Sequence, residues 1–190
     1  MHLTTDFKEI GNISKEMLTD ALAVCLSTDW SSDEFTRPEV TLAKGRVVVL
    51  PYIIVKPEQR NYSEAQNKII DSVTPIIKYL DSLFPNCIKV RGEVVNLLPK
   101  TSLTPHIDPY WFHEHSHRIH VPIYTNNECG QTFEDRVKKL DAGVIYEINN
   151  RLMHSAFNNS DLPRIHLIID YMPIDKVKEA SSNPNLYLSK

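Results

Sequence analysis

Between positions 106 and 120 the chain reads HIDPYWFHEHSHRIH, a stretch holding five of its eight histidines. Two metal-binding spacings overlap there. His106 and Asp108 form His-x-Asp, while His113, Glu114 and His117 form His-Glu-x-x-His. The second spacing serves zinc-peptidase chemistry only on a helix, which sets both imidazoles one turn apart with the glutamate beside them as general base. Pro109 lies just upstream, and from Arg118 onward Arg118, His120 and Pro122 alternate with Ile119, Val121 and Ile123. A strand starting there leaves about eight residues for a helix, near the minimum for a packed one. His120 also stands where the longer form of the zinc motif has glycine. His113, His115 and His117 therefore read as a polar loop joining strands, which could border a substrate entrance, with zinc-peptidase chemistry as an alternative.

His-x-Asp by itself is weak, since this composition supplies about half an instance by chance. It gains meaning from His154, 46 residues beyond Asp108 in LMHSAF. Two imidazoles and one carboxylate are the facial set of non-haem iron(II), which leaves three coordination positions open. Three open positions can seat a bidentate 2-oxo acid together with dioxygen. Arg164 follows His154 by ten residues, at the head of RIHLIIDY. A guanidinium on that neighbouring strand can take the far carboxylate of 2-oxoglutarate through its planar fork. His166 shares the face of Arg164, and Arg118 shares a face with His120, because side chains alternate along a strand. Buried arginines demand anions, so an interior lined by Arg118, His120 and Arg164 expects an acidic ligand. Structural alternatives stand beside each role. Asp108 could form a turn before Pro109, His154 could sit in the core, and Arg164 could pair at the surface with Asp161 or Asp170. Arg118 and His120 could face water, and His166 could simply pack. Tyr110 and Trp111 could clamp a substrate or cover local core.

These side chains need a scaffold to position them. Within 14–26, apolar residues at 17, 18, 21, 22 and 25 fall on one helical face, with Ser14 placed to cap it. Positions 46–55 are dense in valine and isoleucine and read as a strand. Ile69, Ile70, Val73, Ile76, Ile77 and Leu80 give a long helix within 63–84, in which Pro75 either kinks the helix or starts a second one capped by Thr74. After Pro85, short apolar runs at 88–98, 118–125, 131–135, 144–149, 152–157 and 164–171 alternate with turns. With no helical period between them, they argue for an antiparallel sandwich or barrel. The tail from Ile174 reads as peripheral.

Length and composition set the bounds. A chain of 190 residues suits a single domain: 1–85 as helical and strand support, 86–173 as the core that carries the chemistry, and 174–190 as tail. A net charge of −3 gives no electrostatic reason to expect nucleic acid or an anionic membrane as partner. The longest apolar run, 47–55, contains a proline and is about half a membrane span. The amino terminus lacks the basic start and apolar block of a secretion signal. Cys25, Cys87 and Cys129 form neither a disulfide framework nor a CxxC clamp. A reducing, cytoplasmic setting is expected.

The segments PHIDPYW, HRIHVPIYTN and AGVIYEINNRLMHSAFNNSDLPRIHLIIDY together resemble the aspartyl/asparaginyl β-hydroxylase family of iron(II)- and 2-oxoglutarate-dependent oxygenases. They are similar too to the bacterial proline cis-hydroxylases, over roughly 88–173. The resemblance implies a mainly β fold with flanking helices, a cupin-like jelly roll or double-stranded β-helix. It implies His106, Asp108 and His154 as metal ligands, Arg164 as the 2-oxoglutarate arginine, and Arg118 with His120 as a pair contacting cosubstrate or substrate. His166 joins this cosubstrate group through the face it shares with Arg164. Asn158 matches a frequent asparagine after the distal histidine, of open role. Some animal members lack the carboxylate ligand; Asp108 retains it here, which implies three-ligand iron binding. The implied enzyme is a dioxygenase using Fe(II), 2-oxoglutarate and O2, with ascorbate supportive in vitro. It would hydroxylate an unactivated carbon of an amino acid, or of an aspartyl- or asparaginyl-type side chain in a peptide or protein, with release of succinate and CO2. A jelly roll that binds metal or ligand without oxygenation is the other class left open.

Overall fold

The computed structural model describes residues 3–36, 45–51, 61–183 and 185–186. In chain order the elements are β1 (Phe7–Asn12), α1 (Lys15–Ser27), a 3-10 turn (Asp33–Phe35), β2 (Gly45–Val49), α2 (Glu64–Leu83), β3 (Cys87–Leu97), β4 (Thr101–Ser102) and α3 (Trp111–Glu114). There follow β5 (His117–Tyr124), β6 (Cys129–Phe133), β7 (Arg136–Lys138), β8 (Val144–Ile148), β9 (His154–Asn158), β10 (Arg164–Pro173) and α4 (Ile174–Ser182).

The two long helices begin at side-chain caps. Ser14 Oγ accepts from the Met17 N–H at 3.1 Å, as the sequence pattern predicts. Ser63 and Gln66 form a reciprocal capping box, each accepting the other's backbone N–H at 3.1 Å. Helix α2 runs unbroken through Pro75, and Thr74 caps nothing: its hydroxyl donates back to the Ile70 carbonyl at 2.8 Å. Proline removes one i to i−4 bond. Ile69, Ile70 and Val73 before it, and Ile76, Ile77 and Leu80 after it, are all buried in one cluster, so the packing of one continuous face outweighs that loss.

Two antiparallel sheets carry the rest. One has the order β1-β8-β5-β10-β3-β2, the other β4-β9-β6-β7. From β3 onward the chain crosses from sheet to sheet, with β3, β5, β8 and β10 in the larger and β4, β6, β9 in the smaller. That alternation is the winding of a double-stranded β-helix. The strand read at 46–55 covers Gly45–Val49, and its positions 52–55 lie outside the described residues. Strands β1, β4 and β7 are additions that local patterning did not indicate. Each is an edge strand or short strand formed by pairing with β8, β9 or β6. The tail is helical in α4, and it buries Ala180 against Val90, Phe112 and Met172. Among the described residues no helix is long and apolar enough to cross a membrane.

The period of two divides the larger sheet cleanly. Val94, Ile119, Val121, Ile165, Leu167 and Ile169 pack with α1 and α2 in the main core. The opposite face looks into the sandwich and carries the polar residues in register. Asp170 lies opposite Arg91 and Arg118, Ile168 opposite Glu93 and His120, His166 opposite Val95 and Pro122, and Arg164 opposite Leu97. Arg164 and Asp170 thus stand at the two ends of one strand face, roughly 20 Å apart along β10.

Asn158 fixes the turn that sets this register. Fully buried, it donates to the carbonyls of Leu97 at 3.0 Å and Leu162 at 2.7 Å. Its Oδ1 accepts from Ser160 N at 3.1 Å, Ser160 Oγ at 2.7 Å and Cys129 Sγ at 3.3 Å. Cutting the amide back to a methyl would leave buried backbone groups unpaired, so Asn158→Ala is expected to lose about 2–4 kcal/mol of unfolding free energy, read from urea denaturation.

Candidate metal and cosubstrate site

The segment after β4 is stitched to β9 by backbone. His106 and His154 exchange N–H to carbonyl bonds of 2.9 Å each way, and the Asp108 N–H donates to the Asn150 carbonyl at 3.3 Å. Residues distant in sequence are thereby held opposite one another. The ring Nδ1 of His106 lies 2.8 Å from the Thr104 carbonyl oxygen and that of His154 lies 2.8 Å from the Leu152 carbonyl oxygen. Donation by Nδ1–H to these carbonyls leaves Nε2 as the free lone pair on each ring. Those nitrogens face the carboxylate: His106 Nε2 is 3.9 Å from Asp108 Oδ1, and His154 Nε2 is 3.8 Å from Asp108 Oδ2. One donor atom from each of the three lies within 4.8 Å of the others, the one such trio among the described residues.

Electrostatics prepare these groups to bind a cation. Burial lowers the His154 pKa, so the ring is neutral at pH 7. For Asp108, burial alone would raise the pKa, but the surrounding groups, Arg118 first among them and Arg91 included, together outweigh it and hold the carboxyl well below its ordinary range. Neutral imidazoles and an ionised carboxylate are the states a metal requires. Two nitrogens and one oxygen suit divalent iron with open positions, so the donor set fits that ion.

Arg118 is buried and faces inward, not toward water. Its Nε and Nη2 each donate to Asp170 at 2.8 Å, and its Nη1 donates to Asp108 Oδ2. The guanidinium predicted to meet an acidic ligand is thus engaged with two carboxylates of its own chain. Asp170 stands directly opposite on β10, fully buried. Burial would raise its pKa, and Arg118 together with Arg91 more than reverses this.

Arg164 has the contrary environment. It is buried, donates to Gln131 Oε1 at 3.1 Å, and makes no ion pair among the described residues. Neither surface partner considered for it is engaged with it: Asp161 pairs with Lys100 at 3.2 Å and Asp170 with Arg118. Burial brings its pKa down to about 10, which still leaves it charged at pH 7. Beside it, His120 and His166 meet edge to face with ring centres 5.8 Å apart. His120 Nδ1 and both ring nitrogens of His166 are buried without a hydrogen-bond partner among the described residues, and burial keeps both rings neutral. A buried cation flanked by unsatisfied imidazoles is a lining that favours a polar anion.

The His-Glu-x-x-His segment does not form a metal-binding helix. Helix α3 ends at Glu114, while His117 already belongs to β5. Glu114 pairs with Arg151 at 3.2 Å, His117 with Glu147 at 2.7 Å, and His115 stacks on Trp111 at 4.2 Å. His113 is buried, which pushes its pKa down to about 3, so the segment is more packed than a polar loop. Tyr110 and Trp111 pack against Phe112 and its neighbours, covering local core. A separate groove of about 300 Å³, lined by Lys8, Ile10, Phe84, His117 and Glu147, includes none of the trio or the arginines.

Sequence reasoning passed over Asp170 as an interior partner, and Arg91, Glu93 and Gln131 entirely. Arg91 binds Glu93 and lies 3.5 Å from Asp170. The parity of β10 carried a signal, since Asp170 falls on the face of Arg164 and His166. Gln131 carried none, because polarity alone does not say which sheet face a glutamine takes.

Residues 52–173, more than half of the chain, match the family model described as Aspartyl/Asparaginyl beta-hydroxylase. The chain is similar to an L-proline cis-4-hydroxylase of Rhizobium meliloti (strain 1021), 32% identical over 122 residues, or 60% of this chain and 41% of that protein. It thus spans less than half the length of this relative. Among solved structures it is similar to a prolyl hydroxylase from Trichoplax adhaerens in complex with a hypoxia inducible factor oxygen degradation domain peptide fragment. That likeness has a TM-score of 0.59 at 14% identity and covers 93% of this chain and 88% of the other. It is also similar to a Pseudomonas putida prolyl-4-hydroxylase, with a TM-score of 0.54 at 11% identity, covering 90% and 94% of the two chains. At these identities the structural likenesses establish the fold, the double-stranded β-helix described above. With the family match over residues 52–173, the chain belongs to the aspartyl/asparaginyl β-hydroxylase family.

Proposed function

We propose that this chain is an Fe(II)- and 2-oxoglutarate-dependent dioxygenase that hydroxylates an unactivated carbon of an amino acid, releasing succinate and CO2. The observation that carries the reading is the convergence of His106, Asp108 and His154 in one interior that also buries Arg164, a guanidinium with no carboxylate partner among the described residues. A free amino acid is the first candidate substrate, since the curated relative acts on L-proline; an aspartyl- or asparaginyl-type side chain in a peptide is the second.

His106, Asp108 and His154 would hold the iron. When bound, it supplies the redox chemistry that couples oxidation of the cosubstrate to oxidation of a C–H bond. The chain's own residues do the rest. Arg164, oriented by Gln131, would take the distal carboxylate of 2-oxoglutarate through its planar fork. His120 and His166 would offer ring N–H groups to the same anion, giving their buried nitrogens partners. The apolar neighbours Leu97, Val95 and Ile168 on these rungs would exclude water, which strengthens every such bond.

Purified protein given iron(II), ascorbate, 2-oxoglutarate and air is expected to form succinate, faster with L-proline or another member of an amino-acid and peptide panel. Absence of turnover across the panel, together with no cosubstrate binding by calorimetry, would favour a non-catalytic ligand-binding jelly roll. His154→Ala and chelation by EDTA should each bring succinate formation to background, and added iron(II) should restore only the second. Arg164→Met should cost about 2–3 kcal/mol of cosubstrate binding, or roughly 30- to 150-fold in KM for 2-oxoglutarate, with the KM for the amino acid little changed.

A further inference from the structure

A charged row crosses three adjacent strands on the inner face of the larger sheet: Arg91 on β3, Asp170 on β10 and Arg118 on β5. Both oxygens of Asp170 are engaged. Oδ1 accepts Arg118 Nε at 2.8 Å, and Oδ2 accepts Arg118 Nη2 at 2.8 Å and Arg91 Nη1 at 3.5 Å. Arg91 is held in turn by Glu93. The Asp170 side chain is fully buried, that of Arg118 is 7% exposed and that of Asp108 10%.

A planar fork fixed on one carboxylate by two parallel bonds cannot turn without breaking both. Its third donor therefore has a set direction, and it points Nη1 at Asp108 Oδ2. With that oxygen engaged, Oδ1, the one facing His106 Nε2, is left for other bonding. Charge matters as much as aim. An arginine beside a cation site would repel the cation, and Asp170 offsets this. Arg91 and Arg118 set against Glu93, Asp108 and Asp170 leave one net negative charge in the cluster.

We propose that Asp170, steadied by Arg91, is a positioning residue for the metal centre: through Arg118 it orients Asp108 so that this carboxylate meets a divalent cation through Oδ1 alone. The inference rests on the assignment of His106, Asp108 and His154 as ligands. It opposes a simpler picture in which Arg118 merely competes with the cation for Asp108, and the two differ in the sign of what mutation does.

The test uses the metal-free full chain titrated with Mn(II), free ion being followed by electron paramagnetic resonance, and with Co(II), followed by its visible ligand-field spectrum. Wild type is expected to bind one Mn(II) per chain. Asp170→Asn keeps shape but removes the charge, and should weaken Mn(II) about 10- to 100-fold and alter the Co(II) spectrum. Arg118→Lys keeps charge but loses the fork, and should do likewise, while Arg91→Gln should do less. Circular dichroism melts identify a variant that does not fold. In that case the double variant Arg118→Met with Asp170→Leu, which removes the buried pair together, takes its place and should show the same weakening. Unchanged affinity with an unchanged Co(II) spectrum, or tighter binding in any Arg118 variant, would overturn the proposal while leaving the metal site intact. Failure of folded wild type to bind either ion would instead overturn the ligand assignment itself.

Discussion

Charge buried between two sheets is tolerated only when something compensates it, and that constraint orders the interior of this protein. Along β10, spaced by the strand repeat, Asp170 and Arg164 meet it in opposite ways. Asp170 is compensated within the chain by Arg118 and Arg91. Arg164 is left with one amide partner and no carboxylate among the described residues. The first arrangement completes a structural cluster that reaches the metal-ligand candidate Asp108. The second leaves a buried cation that no carboxylate among the described residues compensates. The fold thus divides its interior into an end whose charges are paired within the chain and an end whose cation has no carboxylate partner among the described residues, and the division follows from which side chains share a rung.

Much of this was legible in the chain because it is written in periods of two. Alternation placed Arg164 with His166 and Arg118 with His120, and the register confirms both pairs as inward-facing on neighbouring strands. The helical stripe from Ile69 to Leu80 named the residues that cover the sheet's other face. The capping residue Ser14 marked the start of the first helix. The three ligand candidates were legible only in company, since neither His-x-Asp nor a later histidine says anything alone. What unites them is a pair of backbone bonds between residues 106 and 154, and long-range pairing of that kind leaves no local trace.

Where the reading and the structure part, tertiary packing overrode a local rule. Pro75 should interrupt a helix, yet one apolar face on both sides of it is buried against the same core, and a single lost backbone bond is the smaller term. The tail after 173 continues as a helix because Ala180 finds a small cluster to enter. His-Glu-x-x-His fails for the converse reason. Its second histidine is drawn into β5, whose pairing with β10 and β8 is worth more than another helical turn, and the three residues of the motif are engaged by separate partners.

Arg118 and Arg164 show why residue type alone could not assign roles. Both are buried arginines at inward positions of adjacent central strands, and sequence reasoning treated both as anion receptors. Their neighbours separate them. An aspartate directly across from Arg118 makes it a strut within the chain, and Asp108 and Asp170 together raise its pKa against the pull of burial. Opposite Arg164 stands Leu97, with Gln131 reaching from the other sheet, and burial lowers its pKa instead. A neutral amide can orient a guanidinium without satisfying its charge, which is the property a cosubstrate anchor needs. The same side chain therefore either ties Asp108 into a buried charge cluster or keeps a charge that no carboxylate among the described residues meets, according to whether its cross-strand partner bears a charge.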